Sequence, residues 1–228
     1  MKILVTSGGT SEAIDRVRSI TNHSSGRLGK LITETLLHAG HQVCLITTPQ
    51  AVKPSAHQGL TVIEIENTAD LLQTMKDIIM DYQVLIHSMA VSDYTPVYMT
   101  GFDALQASQD LTEFLDRKNQ ETKISSKDDV QVLFLKKNPK IISLVKAWNP
   151  SIHLIGFKLL VDVSREHLIQ IARESLENNQ AGLIVANDLT QINSEQHKAY
   201  LVEKNSFQTA TSKHEIADLL LKKIQTYE

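Results

Sequence analysis

Short apolar runs alternate with longer segments of helical periodicity along most of the chain. The apolar runs cover residues 3–7, 42–47, 61–66, 84–88, 152–157 and 183–186, and the helical segments cover residues 26–38, 69–80, 140–148 and 164–178. Several runs are apolar almost without interruption, which is typical of parallel strands that are covered on both faces. The pattern therefore predicts an α/β fold with a doubly wound, mostly parallel, Rossmann-like sheet.

This alternation breaks between residues 93 and 138. Pro96, Gly101 and the polar stretch 116–129 separate a weakly helical segment from a strand-like run at 130–135. Such a break predicts a flap or extension over the site, part of it mobile. Further on, residues 199–203 alternate as in an edge strand, and Ser212 is expected to cap a terminal helix. The length of 228 residues is consistent with one domain, 1–228.

Composition narrows the classes of function. Hydrophobic residues make up 42% and charged residues 21%, and the net charge of −3 disfavours a general nucleic-acid or acidic-membrane binder. The apolar run at the start is too short for a signal peptide, and no stretch approaches the roughly 20 apolar residues of a membrane span. The single cysteine, Cys44, excludes an intrachain disulfide, so a cytoplasmic protein with a buried, inert thiol is expected.

A glycine-rich turn follows the first predicted strand. Ser7, Gly8, Gly9 and Thr10 lie where doubly wound sheets bind ligands, and adjacent glycines let the backbone approach an anion. The turn does not fit the dinucleotide fingerprint, because Gly8 would then require glycines at the positions of Thr10 and Ala13. Alone, it is weak evidence of a binding site.

A second motif, TNHSSGRLGK at residues 21–30, leads into a helix with apolar periodicity. Ser24 or Ser25 can cap that helix, and free N–H groups, hydroxyls and the helix dipole would together form a phosphate cradle. A P-loop is excluded, because it would need a glycine at Ser24 and a hydroxyl at Leu31. The alternative interpretation is a capped helix start with small packing residues.

Both motifs belong to a longer resemblance. TSGGTSEAIDRVR at residues 6–18 and ITNHSSG at residues 20–26 are similar to the opening of phosphopantothenate–cysteine ligases, T-x-G-G-T-x-E-x-I-D-x-V-R-x-I-x-N-x-S-S-G. Further matches follow in the family's order over the whole chain: AVSDY at 90–94, KI at 123–124, KNP at 137–139, GFK at 156–158 and AND at 186–188. Bacterial members are often fused to a flavin-dependent decarboxylase, whereas this chain resembles the stand-alone form.

The resemblance implies a ligase of coenzyme A synthesis. It would join 4′-phosphopantothenate to cysteine through an acyl-nucleotide, consuming CTP with Mg²⁺ on the nucleotide phosphates and no metal site of its own. Bacterial members favour CTP, while the eukaryotic branch accepts ATP; we expect CTP. The family is typically dimeric, so a homodimer is expected, with no nucleic-acid or membrane partner.

Site residues are carried over from the family's motifs. Asn22 would stabilise the acyl oxygen as a neutral donor, with Lys158 as the second catalytic residue. Residues expected to bind the phosphopantothenate are Gly9, Thr10, Ser24, Ser25, Gly26, Ala90, Val91 and Asp93. Residues expected to bind the nucleotide are Gly156, Phe157, Lys158, Asn187, Asp188, Lys123 and Lys213. Here the helix at 172–179 lacks the lysines of many bacterial relatives, and we expect Lys158 to supply the missing charge.

Two other classes of function share parts of this pattern. A nicotinamide-dependent oxidoreductase would have the same sheet, and Tyr200 and Lys204 have the spacing of its catalytic pair. That pair requires a helix, whereas the segment alternates like a strand, which would separate the two residues by about 13 Å. A non-catalytic nucleotide-binding module would keep the phosphate cradle without a productive acyl site.

Overall fold

The computed structural model describes residues 1–119, 122–125, 127–193 and 196–228. The strands are β1 Lys2–Thr6, β2 Ser11–Ala13, β3 Ser19–Thr21, β4 Gln42–Thr47, β5 Leu60–Glu64, β6 Val84–His87, β7 Tyr94–Gly101, β8 Gln131–Lys137, β9 His153–Leu160, β10 Leu183–Ile192, β11 His197–Val202 and β12 Phe207–Ala210. The α-helices are α1 Arg27–His38, α2 Thr68–Ile78, α3 Phe102–Ala107, α4 Ile141–Trp148, α5 Arg165–Asn178 and α6 Lys213–Gln225. Short 3₁₀ turns lie at Ile79–Asp81 and Leu111–Phe114.

Eight strands form the central sheet in the order β12-β11-β10-β9-β6-β1-β4-β5. Neighbours from β5 to β10 pair in parallel, and β11 and β12 are added antiparallel. The chain starts at β1, builds outward through β4 and β5, and then returns to β6 on the other side. The predicted doubly wound α/β sheet is confirmed, and its order reverses between β1 and β6, the place where such sheets bind ligands.

Helices cover both faces of this sheet. Leu4 and Leu85 point to one face, where they share a core with Leu71 of α2 and Leu168 of α5. The opposite face packs against α1 and α6. Strands that are buried on both faces explain the nearly continuous apolar runs. Cys44 is buried as expected, and burial raises the pKa of its thiol.

The prediction of an edge strand at 199–203 was wrong. β11 lies inside the sheet, paired with β10 on one side and with β12 on the other, where Ala199 lies opposite Ala210. Residues 199–202 are consequently all buried. β12 has only four residues, of which three are exposed, so its sequence carries little strand signal. The cap at Ser212 is confirmed, because its hydroxyl accepts from the Glu215 amide at 3.2 Å.

The region between residues 93 and 138, called the flap below, leaves the sheet as an antiparallel ribbon. β7 pairs with β8 from Tyr94 opposite Lys137 to Gly101 opposite Gln131. An aromatic cluster closes the ribbon: Phe114 is 2% exposed and its ring stacks on Phe134 at 5.5 Å. The flap is thus a structured extension where it is described. Residues 120, 121 and 126, in the part predicted to be mobile, lie outside the described residues.

No α-helix within the described ranges is long and apolar enough to cross a lipid bilayer.

Candidate functional site

The turn after β1 and the chain after β6 meet at the reversal point of the sheet. The Thr10 amide donates to the Ala90 carbonyl at 3.0 Å, and the Ala90 amide donates to the Gly8 carbonyl at 2.9 Å. Gly9 and Ala90 thereby form a short parallel bridge beyond the strand ends. The first predicted motif and the AVSDY segment are neighbours at this edge.

Asn22 lies against the same turn. Its amide donates to the Thr10 carbonyl at 3.1 Å, and a Cβ on Gly9 would be only 2.0 Å from the Asn22 carbonyl oxygen. Glycine at position 9 is therefore required for this close approach of two backbones. The Asn22 side chain is half-buried and makes no hydrogen bond to any described residue, which leaves its amide available to a ligand.

The start of α1 differs from the prediction that a serine caps it. Gly26 is the N-cap, with φ of 75°, and no side chain caps the helix. Ser25 Oγ is 3.4 Å from the Arg27 amide, a weak contact. The left-handed turn at Gly26 takes Ser24 and Ser25 out of capping geometry, and both remain exposed. First-turn N–H groups lack partners within the helix, so this start can still bind an anion.

The opposite wall is built by β9, β10 and the start of α6. Phe157 and Lys158 lie on β9, Asn187 lies on the adjacent β10, and Lys213 begins α6. The Asn187 side chain donates to the Lys198 carbonyl at 3.2 Å, which fixes its orientation. The Lys158 ammonium forms no hydrogen bond or ion pair with any described residue. Its charge is therefore free to meet an anion.

Both walls enclose a cleft of about 610 Å³ along the carboxyl edge of the sheet. A volume of this size accommodates a small organic ligand or a nucleotide. Predicted site residues that line it are Ser24, Ser25, Gly26, Ala90, Phe157, Lys158, Asn187 and Lys213. The cleft thus runs across the ends of five neighbouring strands. The start of α1, whose N–H groups can bind an anion, lies on one side, and Lys158 and Lys213 lie on the other.

Comparison with known proteins then identifies the family. Residues 1–111 match the DNA/pantothenate metabolism flavoprotein C-terminal domain, DFP, and residues 103–227 give a second match. The chain belongs to the DFP family.

Relatives in the DFP family are similar over nearly the whole chain. The bifunctional coenzyme A biosynthesis protein CoaBC of Thermococcus kodakarensis is 33% identical over 228 residues, covering 98% of this chain and 51% of that protein. The DNA/pantothenate metabolism flavoprotein from Streptococcus pneumoniae has a crystal structure with TM-score 0.96, 69% identity and 100% coverage of both chains. The C-terminal domain of CoaBC has TM-score 0.72 and 26% identity, covering 99% of this chain and 94% of that chain.

The chain spans about half the length of the curated CoaBC protein that it matches. Its similarity to the solved C-terminal domain shows which half of CoaBC it corresponds to. The fold expected from the resemblance is therefore the fold of the DFP family.

Not every residue carried over from the motifs borders the cleft of this DFP chain. A Cβ on Gly156 would lie 2.8 Å from the Cδ1 atoms of Ile142 and Ile184, so this glycine permits tight packing. The Thr10 hydroxyl is fully buried and is shared with Ser92, donating to its Oγ at 3.1 Å. Lys123 lies on the flap and is not among the cleft's lining residues, and neither are Gly9 and Asn22, although the neighbouring His23 is.

Asp188 is likewise engaged inside the protein. Its carboxylate accepts from the backbone amides of Asp162, Val163 and Thr190 at 2.9–3.1 Å and from the Thr190 hydroxyl at 2.7 Å. Hydrogen bonds from the Val163 amide and from Thr190 lower its pKa to about 2. Asp188 therefore holds the loop after β9 against β10. Its predicted contact with the nucleotide stays a prediction.

Val91 and Asp93 line a second, smaller cleft of about 230 Å³. Phe157 and Lys158 border both clefts, so the β9 residues separate two neighbouring spaces. The Asp93 carbonyl accepts from the Asn138 amide at 2.8 Å, which ties the end of the flap to this wall. The predicted phosphopantothenate residues are thus divided: Val91 and Asp93 face the smaller cleft, while Ser24, Ser25, Gly26 and Ala90 share the larger one with the predicted nucleotide residues.

Sequence reasoning missed two buried histidines at these clefts. His87, at the end of β6, borders the smaller cleft, and its Nδ1 lies 2.8 Å from Thr6 Oγ1. His197, at the start of β11, borders the larger cleft. Burial lowers the pKa of each ring to about 4, with the Lys213 charge as a second cause at His197. Both rings are therefore neutral near pH 7, and no motif marked either position.

Proposed function

We propose that this chain joins 4′-phosphopantothenate to L-cysteine at the expense of CTP. Membership of the DFP family, with relatives in coenzyme A biosynthesis, supports this class of reaction. The observation that carries the proposal is the 610 Å³ cleft, where the start of α1 faces Lys158 and Lys213. One cleft can then hold anionic reactants at both ends.

The proposed reaction has two steps. A carboxylate oxygen of 4′-phosphopantothenate attacks the α-phosphorus of CTP, the bond to the β-phosphate breaks, and pyrophosphate leaves. The amino group of cysteine then attacks the acyl carbon, CMP leaves, and the amine proton passes to solvent. Activation is required because a free carboxylate would have to expel oxide.

Protein residues would act by position and charge. Asn22 would donate from its side-chain amide to the acyl oxygen as negative charge develops there. The N–H groups at the start of α1 and the cation of Lys158 would hold the phosphates. Neither step needs a protein nucleophile, which is compatible with a buried Cys44.

Magnesium would accompany the nucleotide and neutralise phosphate charge. Among the residues that the structure describes, no group of three or more His, Cys, Asp or Glu side chains is arranged to hold a metal ion. Magnesium ions in nucleotide sites are usually bound through substrate phosphates, waters and one or two carboxylates.

The decisive experiment supplies 4′-phosphopantothenate, cysteine and Mg²⁺ with each of the four nucleoside triphosphates. We expect pyrophosphate and the ligated product, fastest with CTP, measured by a phosphate-coupled assay and mass spectrometry. Absence of both products with every triphosphate would refute the ligase proposal. Equal rates with all four would refute selectivity for the base and leave the ligase proposal standing.

Asn22→Asp tests the acyl-oxygen contact. A carboxylate would repel the developing charge, so we expect kcat to fall at least about 100-fold while CTP binding and the melting temperature stay unchanged. Asn205→Asp makes the same chemical change in the exposed turn between β11 and β12 and should keep wild-type turnover. Normal ligation by the Asn22 variant would contradict the assignment.

A homodimer is also proposed. Apolar side chains stand exposed on the flap and on the hairpin that contacts it, with Val17 68% exposed and Leu115 61% exposed. Surfaces of this kind commonly bind another protein. Light scattering coupled to gel filtration tests the proposal, and a monomer at micromolar concentration would contradict it.

The oxidoreductase alternative fits the structure poorly. Tyr200 is buried within β11 and Lys204 lies in the exposed turn after that strand, so no helix brings the two side chains together. A non-catalytic module would bind CTP in the ligation assay without releasing pyrophosphate.

A further inference from the structure

A buried glutamate near the turn after β1 has no role in the proposed ligation as described so far. Glu12, the middle residue of β2, is 3% exposed and is not among the lining residues of either cleft. It forms no ion pair with any described residue. Burying a carboxylate without a cation is costly unless hydrogen bonds compensate for the lost water, so the partners of Glu12 indicate what it does.

Three elements meet at the Glu12 carboxylate. Oε1 accepts from the Thr68 amide at 2.9 Å and from the Thr68 hydroxyl at 2.6 Å, at the first residue of α2. Oε2 accepts from the hydroxyl of Thr95, on the first strand of the flap, at 2.8 Å. The N–H groups and the dipole at the start of α2 favour a negative charge at this place. Glu12 therefore ties β2 both to α2 and to the flap.

The Thr95 hydroxyl continues this contact to the other end of the flap. Its oxygen also lies 2.7 Å from Asn138 Oδ1, while Asn138 Nδ2 donates to the Ser92 carbonyl at 2.9 Å. The hydroxyl thus has one proton for two acceptors, Glu12 Oε2 and Asn138 Oδ1. The Asn138 amide in turn donates to the Asp93 carbonyl at 2.8 Å. Both ends of the flap are therefore held at one place, next to Glu12.

The chain on the other side of Glu12 leads to Asn22. Thr10 precedes Glu12 by two residues, and its carbonyl accepts from the Asn22 amide at 3.1 Å. The Thr10 hydroxyl donates to Ser92 Oγ at 3.1 Å and accepts from the Ser92 amide at 2.9 Å. The turn that holds Asn22 and the segment that carries Asp93 are thus joined to each other and to the carboxylate of Glu12.

We propose that Glu12 is a positioning residue for the ligation. Its carboxylate holds the two ends of the flap against the turn after β1, so that Asn22 and Asp93 keep the relative position that acyl transfer requires. An apolar side chain at position 12 could fill the same space, but it could not hold the donors of Thr68 and Thr95 at defined distances. This inference rests on the proposed function, because it adds a residue to the same reaction.

Variants at positions 12 and 95 separate positioning from a structural role. Thr95→Val replaces only the hydroxyl by a methyl group, whereas Glu12→Ala removes the carboxylate. Because a displacement near 1 Å can cost about 100-fold in rate, we expect kcat for pyrophosphate release to fall about tenfold in Thr95→Val and about 10- to 100-fold in Glu12→Ala. The dissociation constant of CTP with Mg²⁺, measured by calorimetry, should stay unchanged, since the hydrogen bonds of Glu12 involve no residue of β9, β10 or α6.

Glu12→Gln provides a conservative rescue. The amide oxygen can accept from Thr68, and the amide nitrogen can donate to the Thr95 hydroxyl, which then donates to Asn138. We therefore expect turnover by this variant to stay near that of wild type. Glu177→Ala, at an exposed position on α5, is the control and should match wild type in turnover and in CTP affinity.

Several results would overturn the inference. Wild-type kcat in Thr95→Val and Glu12→Ala would show that the hydrogen bonds position nothing that the reaction needs. A parallel fall in kcat and CTP affinity would indicate a structural role, and low turnover in Glu12→Gln would show that the hydrogen bonds are not what matters. If Glu12→Ala does not fold, Thr95→Val decides alone. The ligase proposal is judged separately: wild type that does not ligate refutes both proposals, whereas wild type that ligates no faster than the variants refutes only the role of Glu12.

Discussion

At the scale of single residues, His87 makes stability depend on pH. Its ring is buried at the end of β6 and its pKa is lowered to about 4, while an unfolded histidine titrates near 6.5. Between these values the unfolded state binds more protons, so stability is complete above about pH 6.5 and falls as the pH drops toward 4. Protonation of His87 destabilises the folded state because burial disfavours the charged ring.

We expect His87→Gln to remove this dependence. Wild type should lose about 2 kcal/mol of unfolding free energy from this group between pH 7.5 and pH 5, and the variant should lose correspondingly less. Urea unfolding at the two pH values measures the difference. His167→Gln, at an exposed ring, is the control and should lose as much as wild type. An equal loss in the His87 variant would contradict the assignment.

Substitution of Gly9 by alanine tests whether activity requires the close approach of the turn after β1 to Asn22. An alanine Cβ would lie 2.0 Å from the Asn22 carbonyl oxygen, so one of the two backbones must move. Because a displacement near 1 Å at a reacting group can cost about 100-fold in rate, we expect Gly9→Ala to reduce ligation by that order. Steady-state kinetics of pyrophosphate release measures this reduction.

Gly40→Ala is the control for this substitution. Gly40 has a φ of 85° and no neighbour within 4 Å of an added Cβ, so the change should cost stability but not turnover. Wild-type turnover in Gly9→Ala would show that the turn has room to adjust.

The motifs located the cleft, but they did not determine which way each side chain faces. Gly156 packs against Ile142 within the sheet, whereas Phe157 and Lys158, which follow it on β9, border the cleft. His197 could not be found because its position at the cleft depends on β11 lying beside β10, which no local pattern specifies.

At the scale of elements, an ion pair on the β2–β3 hairpin helps to hold the flap. The Asp15 carboxylate accepts from Arg18 Nη2 at 2.6 Å and from the Ile124 amide at 3.1 Å, and Arg18 Nη2 also donates to the Ile124 carbonyl at 3.0 Å. The Arg18 guanidinium holds the pKa of Asp15 well below its usual range. Lys123 therefore precedes a residue, Ile124, whose amide and carbonyl are both hydrogen-bonded to the hairpin.

We expect Asp15→Asn to loosen this part of the flap, because the amide is uncharged and binds Arg18 less strongly. Hydrogen exchange at Ile124 should accelerate, while exchange in β1 and β4 should not change. Asp103→Asn, an exposed carboxylate on α3, provides the control within the flap. Unaltered exchange at Ile124 would show that the other contacts suffice.

Elements with strong periodicity were predicted within a few residues, and the short ones were not. β2 and β3 have three residues each, which is too few for a period to be recognised. β7 contains Pro96, which usually weakens a strand prediction, and the ladder shifts register between Pro96 and Tyr98. Pairing with β8 therefore stabilises β7 although Pro96 disfavours a strand there.

At the scale of the whole molecule, nucleotide binding should stabilise the fold. A ligand at 100 times its dissociation constant adds about 2.7 kcal/mol, which for a chain of this size corresponds to a rise of about 5–10 °C in melting temperature. We expect this rise with CTP and Mg²⁺ in a thermal shift assay and a smaller one after chelation. No shift at saturating CTP would contradict a nucleotide site in the cleft.

The doubly wound topology was predictable because each β-α unit repeats the same alternation along the chain. Handedness and crossover rules limit the possible strand orders, but they do not select one of them. Distances between sites on different strands did not follow, because they depend on the complete order of the sheet.

Tyr94 and Lys137 lie side by side where the flap joins the sheet. The flap is therefore an excursion of more than forty residues whose two ends lie next to each other. The flap could therefore differ in length or sequence between relatives without any change in the strand order of the central sheet. Swapping it for the corresponding segment of a distant homologue should give a soluble chimera, with substrate handling as the property that is inherited.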